Sequence, residues 1–334
     1  MKQLKDSLKQ ALSFVGENEN YIIFNDGKAV KTNLSDDISV VVNDTFIGND
    51  YYQRKQTALE NEIDNNVPFQ SIITISSSLD LTIIHINDDE KYLSYSIIVN
   101  DNVQTNINNI YYKISNDVNL KLDILCKENS KVNIKCFSNF SGNIKAFVNA
   151  YCLKNAYIKL EDLLLNKKEA NFLSNVYLID EDTKADLTNV SINSSGLVQT
   201  YKFNITHDNI NTNSTIMNYG ICKNSSYLTF DNNGIITKGS KKAEMSQKTK
   251  GIILDMYSSI SANPILAIDE NDVIANHGAS IGAIDEEDLF YLMSRGLNQD
   301  ESEKLIVEAF IAPYFDNIKE TIKEYIFEET RKHL

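Results

Sequence analysis

The sequence predicts a mainly β protein whose C-terminal region is helical. Between about residues 21 and 275, short runs alternate apolar and polar residues, which is the period of a half-buried strand. Asn, Asp, Ser or Gly separate these runs, and helix-length apolar spacing is not evident before Leu289. We therefore expect an N-terminal helix in 1–20, a β core over 21–280 and a helical domain over 281–334.

The strand-like runs recur at roughly ten-residue steps. The clearest are SIITIS (71–76), LTIIHI (81–86), KVNIKC (131–136), AYIKL (156–160), SYLTF (226–230) and GIITKG (234–239). Many short, evenly spaced strands are typical of a sandwich or barrel, and also of a β-solenoid. Asn between the runs favours a solenoid, because Asn tolerates left-handed backbone angles and can form ladders between stacked coils. The pattern alone leaves the solenoid and the sandwich open.

The N-terminal segment and the overall charge limit where this chain acts. Residues 1–20 are charged, and one helical face carries Leu4, Leu8, Ala11, Leu12 and Val15. This pattern indicates an amphipathic helix and not a secretion signal, and no run reaches the roughly 18 apolar residues of a membrane span. A net charge of −14 argues against nucleic-acid binding, which needs clustered Lys and Arg. We expect a cytoplasmic protein that binds neither membrane nor nucleic acid.

The four cysteines show no spacing that is typical of a metal site. Cys126, Cys136, Cys152 and Cys222 lie far apart, and no CxxC pair occurs. In a cytoplasmic protein we expect them to be reduced thiols. The first three lie in alternating strand runs and could face the interior of a solenoid.

A helix with clear start and stop signals follows a histidine in HGASIGAIDEEDLFYLMSRGL (277–297). Asp285 is a good N-cap, acidic residues fill the first turn, and Gly296 supplies a left-handed stop. An apolar stripe with a basic residue in the last turn is formed by Leu289, Phe290, Leu292, Met293 and Arg295.

Two further helices are predicted beyond this one. One lies near 299–311, with an apolar face of Leu305, Ile306, Ala309 and Phe310, and Pro313 lies just beyond it. The other carries Phe315, Ile318, Ile322, Tyr325 and Ile326. From the residues alone, the apolar faces of all three helices pack against the β core and one another, or dock a second protein.

The His-Gly-Ala-x-x-Gly and L-F-Y-L-x-S-R-G-L runs resemble the C-terminal signature of the SufB/SufD family, the scaffold subunits of the SUF system for iron–sulfur cluster assembly. Similarity extends upstream to about residue 200, through QKTKGIIL (247–254), Pro264 and DENDVIANHGAS (269–280). KFNITHDNINTNST (202–215) matches a family strand that ends in a histidine, here His207, followed by Thr212 and Ser214. Further similar segments are YLTFDNNGIITKG (227–239) and, near the start of the chain, IIFNDGKAVKTNLS (22–35). Similarity in the rest of the β core is weaker.

The resemblance implies a right-handed parallel β-helix core with a C-terminal helical domain. Members of the family dimerise through the β-helix, as SufB–SufD or as like pairs, and their C-terminal helices bind SufC, an ABC-type ATPase. It thus implies an ATPase-docking role for the helices over 285–326. The expected contact residues on the first of them are Asp285, Leu289, Phe290, Leu292, Met293 and Arg295. No GxxxxGK[ST] motif occurs here, so we expect a non-catalytic scaffold that relies on the partner for ATP hydrolysis.

The resemblance also implies candidate cluster ligands. His277 aligns with a histidine that SufD-type members place at the scaffold interface, although a lone His in a small-residue run is by itself more typical of a structural hydrogen bond. Among the cysteines, Cys222 is the best internal candidate, because thiolates bind iron and receive sulfur. His207 is expected to be a core residue that supports the site. Gly278 and Thr249 stand where SufB-type members carry Glu and Cys, so the chain is SufD-like at both positions.

These features lead to a functional expectation with open alternatives. We expect a scaffold that holds a transient iron–sulfur cluster, as a homodimer in a minimal SUF-like system, because little precedes the first strand-like run. The alternatives are a SufD-type partner of a separate SufB-like subunit, an interaction module without metal, and, remotely, a β-solenoid enzyme acting on polysaccharide. Expected partners are a SufC-like ATPase, a sulfur donor and proteins that accept the cluster. The sequence does not define the cluster type or the full ligand set.

Overall fold

The chain folds into a parallel β-solenoid of about seven turns followed by a helical region. The computed structural model describes residues 2–42, 48–315 and 318–333. From residue 70 onward successive strands alternate between two facing sheets, so each turn of the chain adds one strand to each sheet. The fold class predicted from the sequence and its family resemblance is therefore confirmed.

One sheet contains ten of the described strands. They are β1 (Asn20–Asn25), β2 (Lys28–Asn33), β5 (Leu79–Asn87), β7 (Gln104–Ile114), β9 (Lys131–Phe140), β11 (Tyr157–Leu164), β13 (Lys184–Asn193), β15 (Asn213–Cys222), β17 (Ala243–Ile253) and β19 (Val273–Ala283). Their order is β19-β17-β15-β13-β11-β9-β7-β5-β1-β2, and among them only β1 and β2 pair antiparallel.

The other sheet contains nine described strands. They are β3 (Ile38–Val42), β4 (Gln70–Ile75), β6 (Tyr92–Val99), β8 (Val118–Cys126), β10 (Ile144–Cys152), β12 (Ala170–Leu178), β14 (Val198–His207), β16 (Tyr227–Ile236) and β18 (Ser259–Ile268). Their order is β18-β16-β14-β12-β10-β8-β6-β4-β3, and β3 pairs antiparallel with β4.

The spacing of the strands differs from the predicted ten-residue step. From β9 to β19, strands begin every 13 to 16 residues, since a strand of eight to eleven residues must be followed by a corner. The ten-residue estimate was wrong because some predicted runs are parts of one strand. SYLTF overlaps the start of β16, and GIITKG contains its end and the following turn.

Asparagines at the corners bear out the argument for stacked coils. Asn102, Asn129 and Asn155 have φ values of 63°, 57° and 56°, in the left-handed region. The side-chain amide of each later residue donates to the side-chain oxygen of the previous one, at 3.1 and 3.0 Å. The corners therefore stack one above another, as the solenoid requires.

Apolar residues fill the space between the sheets, and helices cover part of the outside. Helices α1 (Lys2–Ala11) and α5 (Glu320–His333) pack on the outer face of the ten-stranded sheet, where Phe14 and Tyr325 meet with ring centroids 5.0 Å apart. A helix that was not predicted, α2 (Ala58–Asn66), covers the outer face of the other sheet near β6 and β8. A capping box formed by Thr57 and Glu60 begins it.

The C-terminal helices α3 (Glu286–Ser294) and α4 (Gln299–Ile311) form close to where they were predicted. On α4 the buried apolar residues are Val307 and Ile311, whereas Leu305 of the predicted face is exposed. Phe315 and Ile318 precede α5 and are not part of it. None of the helices in the described ranges is both long and apolar enough to cross a membrane.

Candidate functional site

The last coil of the solenoid is open at its end. β19 and β18 are the terminal strands of the two sheets, so each pairs with one neighbour, β17 and β16 respectively. Most residues of β19 are exposed, whereas alternate residues of β17 are buried. The end of the solenoid therefore presents backbone and side chains that the next coil would cover.

His277 stands at the mouth of this open end. It pairs with Gln247 of β17 in a parallel, in-register ladder, so the two side chains point to the same face of the sheet. The Gln247 side chain is buried and donates to the carbonyl oxygen of Ile265 in the opposite sheet, at 3.2 Å. The His277 side chain therefore lies on the inner face of the ten-stranded sheet. It is exposed because it is on the final strand, which no further strand covers.

The two positions that differ from SufB-type members lie close to His277 in the ladder. Gly278 is exposed, and a Cβ placed there would meet no other atom within 4 Å. Thr249 pairs with Ala279, is buried, and accepts a hydrogen bond from the Asn218 side chain at 3.3 Å. A larger residue at 278 would therefore fit without a clash, whereas Thr249 is part of the interior hydrogen bonding.

Cys222 lies inside the solenoid and away from His277. Its side chain is fully buried, its thiol donates to the carbonyl oxygen of Ser259 at 3.5 Å, and burial raises the pKa of the thiol to about 12. In the ladder Cys222 is level with Ala283 of β19, six residues beyond His277. Six strand residues correspond to about 20 Å, so the structure does not bring the two candidate ligands together.

The other three cysteines are also buried, and all contribute to the interior core. Cys126 and Cys152 are in-register neighbours on β8 and β10, and contact between the two thiols, together with burial, raises the pKa of Cys126 well above its usual value. Burial likewise raises the pKa of Cys136, which lies near the carboxyl group of Asp162. In the described conformation no cysteine is exposed.

His207 joins the two residues that the sequence motif placed after it. Its Nδ1 lies 2.7 Å from Thr212 Oγ1 and its Nε2 lies 2.7 Å from Ser214 Oγ. Burial lowers the pKa of the imidazole to about 4, so the ring is neutral near pH 7. Both ring nitrogens are engaged in these contacts, which fix the corner between β14 and β15.

Helix α3 presents three large exposed apolar side chains, Phe290, Tyr291 and Met293. The Asp285 side chain caps it by accepting from the backbone N–H of Glu287 at 2.8 Å, and Gly296 ends it with φ of 99°, as predicted. Phe290 is 74% exposed, and the guanidinium group of Arg295 lies 5.1 Å from the centre of the Tyr291 ring. Of the predicted stripe, Leu289 and Leu292 are partly buried and Met293 is exposed.

A groove of about 540 Å³ runs beside α3, and it involves residues that the sequence reasoning missed. Leu289 lines it together with Leu254 and Met256 from the turn between β17 and β18. Met256 and its neighbour Tyr257 are 83% and 68% exposed, and the Asp255 side chain holds this turn by accepting from the Tyr257 N–H at 2.7 Å. Two large apolar residues in a polar turn were the available signal. We call Phe290, Tyr291, Met293, Met256 and Tyr257 the α3 patch.

Within the described residues, no group of three or more His, Cys, Asp or Glu side chains is arranged to hold a metal ion. His277 is therefore not part of such a group among the described residues. The candidate metal residues remain separate: one at the open end and the cysteines in the interior.

Comparison with known proteins identifies the relatives of this fold. Residues 84–310 match the family model described as "SUF system FeS cluster assembly, SufBD core domain". The chain is 32% identical over 155 residues to the iron-sulfur cluster assembly protein SufD of Bacillus subtilis (strain 168), which covers 46% of this chain and 36% of that protein. It is 31% identical over 180 residues to an iron-sulfur cluster assembly SufBD family protein of Staphylococcus epidermidis (strain ATCC 12228), covering 53% and 38%.

A SufBD family protein of Staphylococcus aureus (strain USA300) is 30% identical over 183 residues, covering 54% of this chain and 38% of that protein. The match to this chain therefore spans little more than a third of the length of these curated relatives. The family model covers about two thirds of the chain and includes β6–β19, His277 and α3. With its two-sheet parallel solenoid and its helical C-terminal region, the chain belongs to the SufBD family.

Proposed function

We propose that this chain is a scaffold subunit for iron–sulfur cluster assembly in a SUF-type system. In this role it catalyses no reaction itself and works with a SufC-like ABC-type ATPase. Membership of the SufBD family supports the assignment, and the sequence has no P-loop motif with which to bind ATP. The observation that carries the proposal is the α3 patch, because it supplies exposed apolar side chains on the helix that follows the terminal strand β19 and on the turn before β18.

The ATPase docks on the α3 patch in this proposal. Isolated apolar residues are common on protein surfaces, but here α3 and the turn that lines the same groove together expose five large ones, which favours an interaction site. Aromatic residues and Met are also the types enriched in the centre of protein interfaces. Glu286, Glu287 and Asp288 in the first turn of α3 give the patch an acidic rim, which favours a partner with basic groups around its docking groove.

The open end of the solenoid is the proposed pairing surface. Two sheet edges with unpaired backbone groups lie side by side there, and a second solenoid could cover both. His277 would then lie at the junction and contribute an imidazole to the transient cluster, which is the cargo of the scaffold. Thiolates for the cluster would come from the facing subunit, or from Cys222 after the end coils separate.

The identity of the facing subunit distinguishes two versions of this function. We propose a homodimer as the simplest arrangement, because it needs no second kind of scaffold subunit. The alternative is a SufD-type subunit that pairs with a SufB-like one. It is favoured by Gly278 and Thr249 and by the similarity to the SufD protein of B. subtilis. The two versions differ in neighbouring genes, with one scaffold gene beside the ATPase gene or two.

Co-purification with the ATPase tests the docking proposal. We expect Phe290→Asp combined with Met293→Asp to abolish the complex, because a charge must be buried without a partner. A matched control is Val198→Asp, at an exposed apolar position on β14. Circular dichroism and thermal unfolding should be the same for both variants and the parent chain. Retention of the ATPase by the double variant would contradict the proposed docking surface.

The mass of the complex in solution tests the pairing proposal. We expect the chain alone, or with a SufB-like subunit, to elute as a dimer, and Ala279→Arg on β19 to shift it to a monomer. Glu244→Arg, on the outer face of the neighbouring strand β17, is the control, because it leaves the open end unchanged. A monomeric parent chain that still supports cluster assembly would exclude the pairing proposal.

A further inference from the structure

One row of inner side chains changes from apolar to polar where it reaches His277. The in-register pairs of the ten-stranded sheet align one residue from each strand between β7 and β19 on its inner face. In chain order the row consists of Ile107, Ile134, Leu160, Leu187, Ile216, Gln247 and His277. The first five are buried apolar residues. Polar side chains therefore enter this row only at its last two positions, and Gln247 is the buried one.

The side-chain amide of Gln247 has a defined orientation. Gln247 is 1% exposed, and its Nε2 donates to the carbonyl oxygen of Ile265 at 3.2 Å. A carbonyl oxygen can only accept, so the amide nitrogen must be the end that faces Ile265. The same nitrogen lies 4.0 Å from the sulfur of Met245, which is a weak acceptor and favours the same orientation. The amide oxygen Oε1 is therefore the end that remains for a donor.

This amide oxygen lacks a donor. Oε1 of Gln247 is buried, and no described residue donates a hydrogen bond to it. A buried acceptor without a partner destabilises the fold, whereas the Leu and Ile residues of the preceding coils carry no such group. Because Oε1 is out of contact with solvent, its donor has to be a side chain that adjoins Gln247 and not a water molecule.

His277 is the neighbour in the row that can supply this donor. Gln247 has two ladder neighbours, and the other one, Ile216, has no polar side-chain atom. Paired strands lie about 4.8 Å apart, so side chains of in-register residues on one face adjoin each other. The imidazole of His277 carries at least one N–H donor. Since His277 is exposed, its ring can turn toward Oε1 without displacing residues of the core.

We propose that Gln247 is a positioning residue for His277. When a second solenoid covers the open end, Oε1 of Gln247 accepts a hydrogen bond from one ring nitrogen of His277, and the other ring nitrogen is left to bind iron of the cluster. A histidine that binds a metal through one nitrogen commonly donates its other N–H to an oxygen, which sets the tautomer and the ring orientation. This inference rests on the ligand role of His277 in the proposed function.

A double-mutant cycle on cluster yield tests this role. We expect Gln247→Leu, which continues the apolar row, to lower the yield of anaerobic reconstitution at least about threefold. The same substitution should leave the yield of the His277→Ala chain unchanged, because Gln247 acts through the imidazole. Gln247→Glu keeps an acceptor oxygen and should restore most of the yield. Ile216→Leu, a volume-conserving change on the other side of Gln247, is the control and should have no effect.

The outcomes of this cycle separate the inference from the proposed function. If His277→Ala gives the parent yield, the ligand role of His277 is refuted and the inference falls with it. If His277→Ala lowers the yield and Gln247→Leu does not, the proposed function stands and only the inference is refuted. Equal fractional losses from Gln247→Leu in both backgrounds would show that Gln247 supports the fold alone, and would also overturn the inference.

The ring N–H of His277 gives a readout that is independent of cluster yield. In the paired scaffold labelled with ¹⁵N-histidine, we expect a slowly exchanging imidazole N–H signal that is missing from His277→Ala, which assigns it. The signal should disappear in Gln247→Leu and persist in Gln247→Glu. Signals of the buried His85 and His207 should be unchanged in all variants and serve as the internal control. A His277 signal that persists in Gln247→Leu, or that is missing from the paired parent, would overturn the proposal.

Discussion

His277 and Gln247 are ladder neighbours on the inner face of the solenoid, yet one is exposed and the other is buried. The difference arises because Gln247 lies on β17, which has a neighbour on both sides, and His277 lies on the terminal strand. An inner-row residue at an open end is available to a second molecule without any change in the fold. This relationship makes His277 the first residue to test.

We predict that His277→Ala lowers the yield of iron–sulfur cluster in the assembled scaffold, because an imidazole ligand at the junction is lost. The measurement is anaerobic reconstitution with iron and sulfide, followed by visible absorption. Ile274→Ala on the same strand is the control, since Ile274 is 62% exposed and lies on the outer face. Equal yields for the parent chain and both variants would remove the ligand assignment.

Cys222 should be unreactive in the isolated chain. Its burial and raised thiol pKa predict that alkylation requires the end coils to open. We expect slow labelling by iodoacetamide for the chain alone and faster labelling when the ATPase and ATP are added. Fast labelling without the partner would show that the closed conformation does not protect the thiol, and nucleotide-independent labelling would argue against coupled opening.

The buried His207 predicts a specific pH dependence of stability. Its pKa is about 4 in the folded chain, below the ordinary value of 6.5, so the unfolded state binds more protons between these values. The contribution of the neutral His207 to the free energy of unfolding is complete above about pH 6.5. It is lost as the pH falls toward 4, by about 1.4 kcal/mol per pH unit. Asp162, raised to about 7, acts in the opposite sense, which partly masks the effect in the parent chain.

The comparison that isolates His207 is therefore the difference between the parent chain and His207→Gln. We expect the destabilisation caused by the substitution to shrink as the pH falls from 6.5 to 4, measured by urea unfolding at each pH. A difference that stays constant over this range would mean that the imidazole is not kept neutral by burial.

Stacked asparagines on the nine-stranded sheet should contribute unequally to stability, with the largest contribution from the central residue. Asn175 donates to Asn149 at 2.9 Å and accepts from Asn204 at 2.8 Å. Asn175→Ala leaves both neighbours short of a partner, so we expect a loss of about 2 kcal/mol in the free energy of unfolding. Asn233→Ala, at the end of the same ladder, breaks one bond and should cost less than half as much. Equal losses of unfolding free energy in the two variants would show that each asparagine contributes independently of its burial.

Loss of the ion pair that holds α2 should destabilise the chain more than loss of the hydrogen bond that caps the helix. Glu60 is fully buried and accepts two hydrogen bonds from Arg54, at 2.6 and 3.1 Å. Glu60→Gln leaves a nearly buried guanidinium without its counter-charge, and we expect about 3–5 kcal/mol of destabilisation. Thr57→Ala removes only one cap hydrogen bond, for about 1 kcal/mol. Similar losses in chemical unfolding would indicate that the pair is not desolvated.

The sequence predicted those helices and strands whose capping residues or alternation patterns lie within a few neighbouring residues. Asp285 and Gly296 set the limits of α3, and alternation identified most strands. The same local reasoning should have found α2, because Thr57 and Glu60 have the spacing of a capping box. The helix is only nine residues long and its apolar periodicity is weak, so periodicity alone did not reveal it.

The candidate site depended on stacking that local patterns do not encode. Whether His277 faces inward or outward follows from its register with Gln247, thirty residues earlier. The distance between His277 and Cys222 likewise follows from their positions along stacked strands. The His207, Thr212 and Ser214 group was recognised from the family motif, since its members are close in sequence and meet at one corner.

The unequal ends of the solenoid have a consequence for how many chains can join. The first coils are closed by antiparallel strands, β2 and β3, and β2 carries Lys28 and Lys31 on its free edge, which discourages further strand addition. If two chains pair through their last coils, the first coils, whose edges are formed by β2 and β3, lie at the two outer ends of the pair. Growth into a filament would then stop after a single pairing step, so that raising the concentration would fill the paired state without producing anything larger.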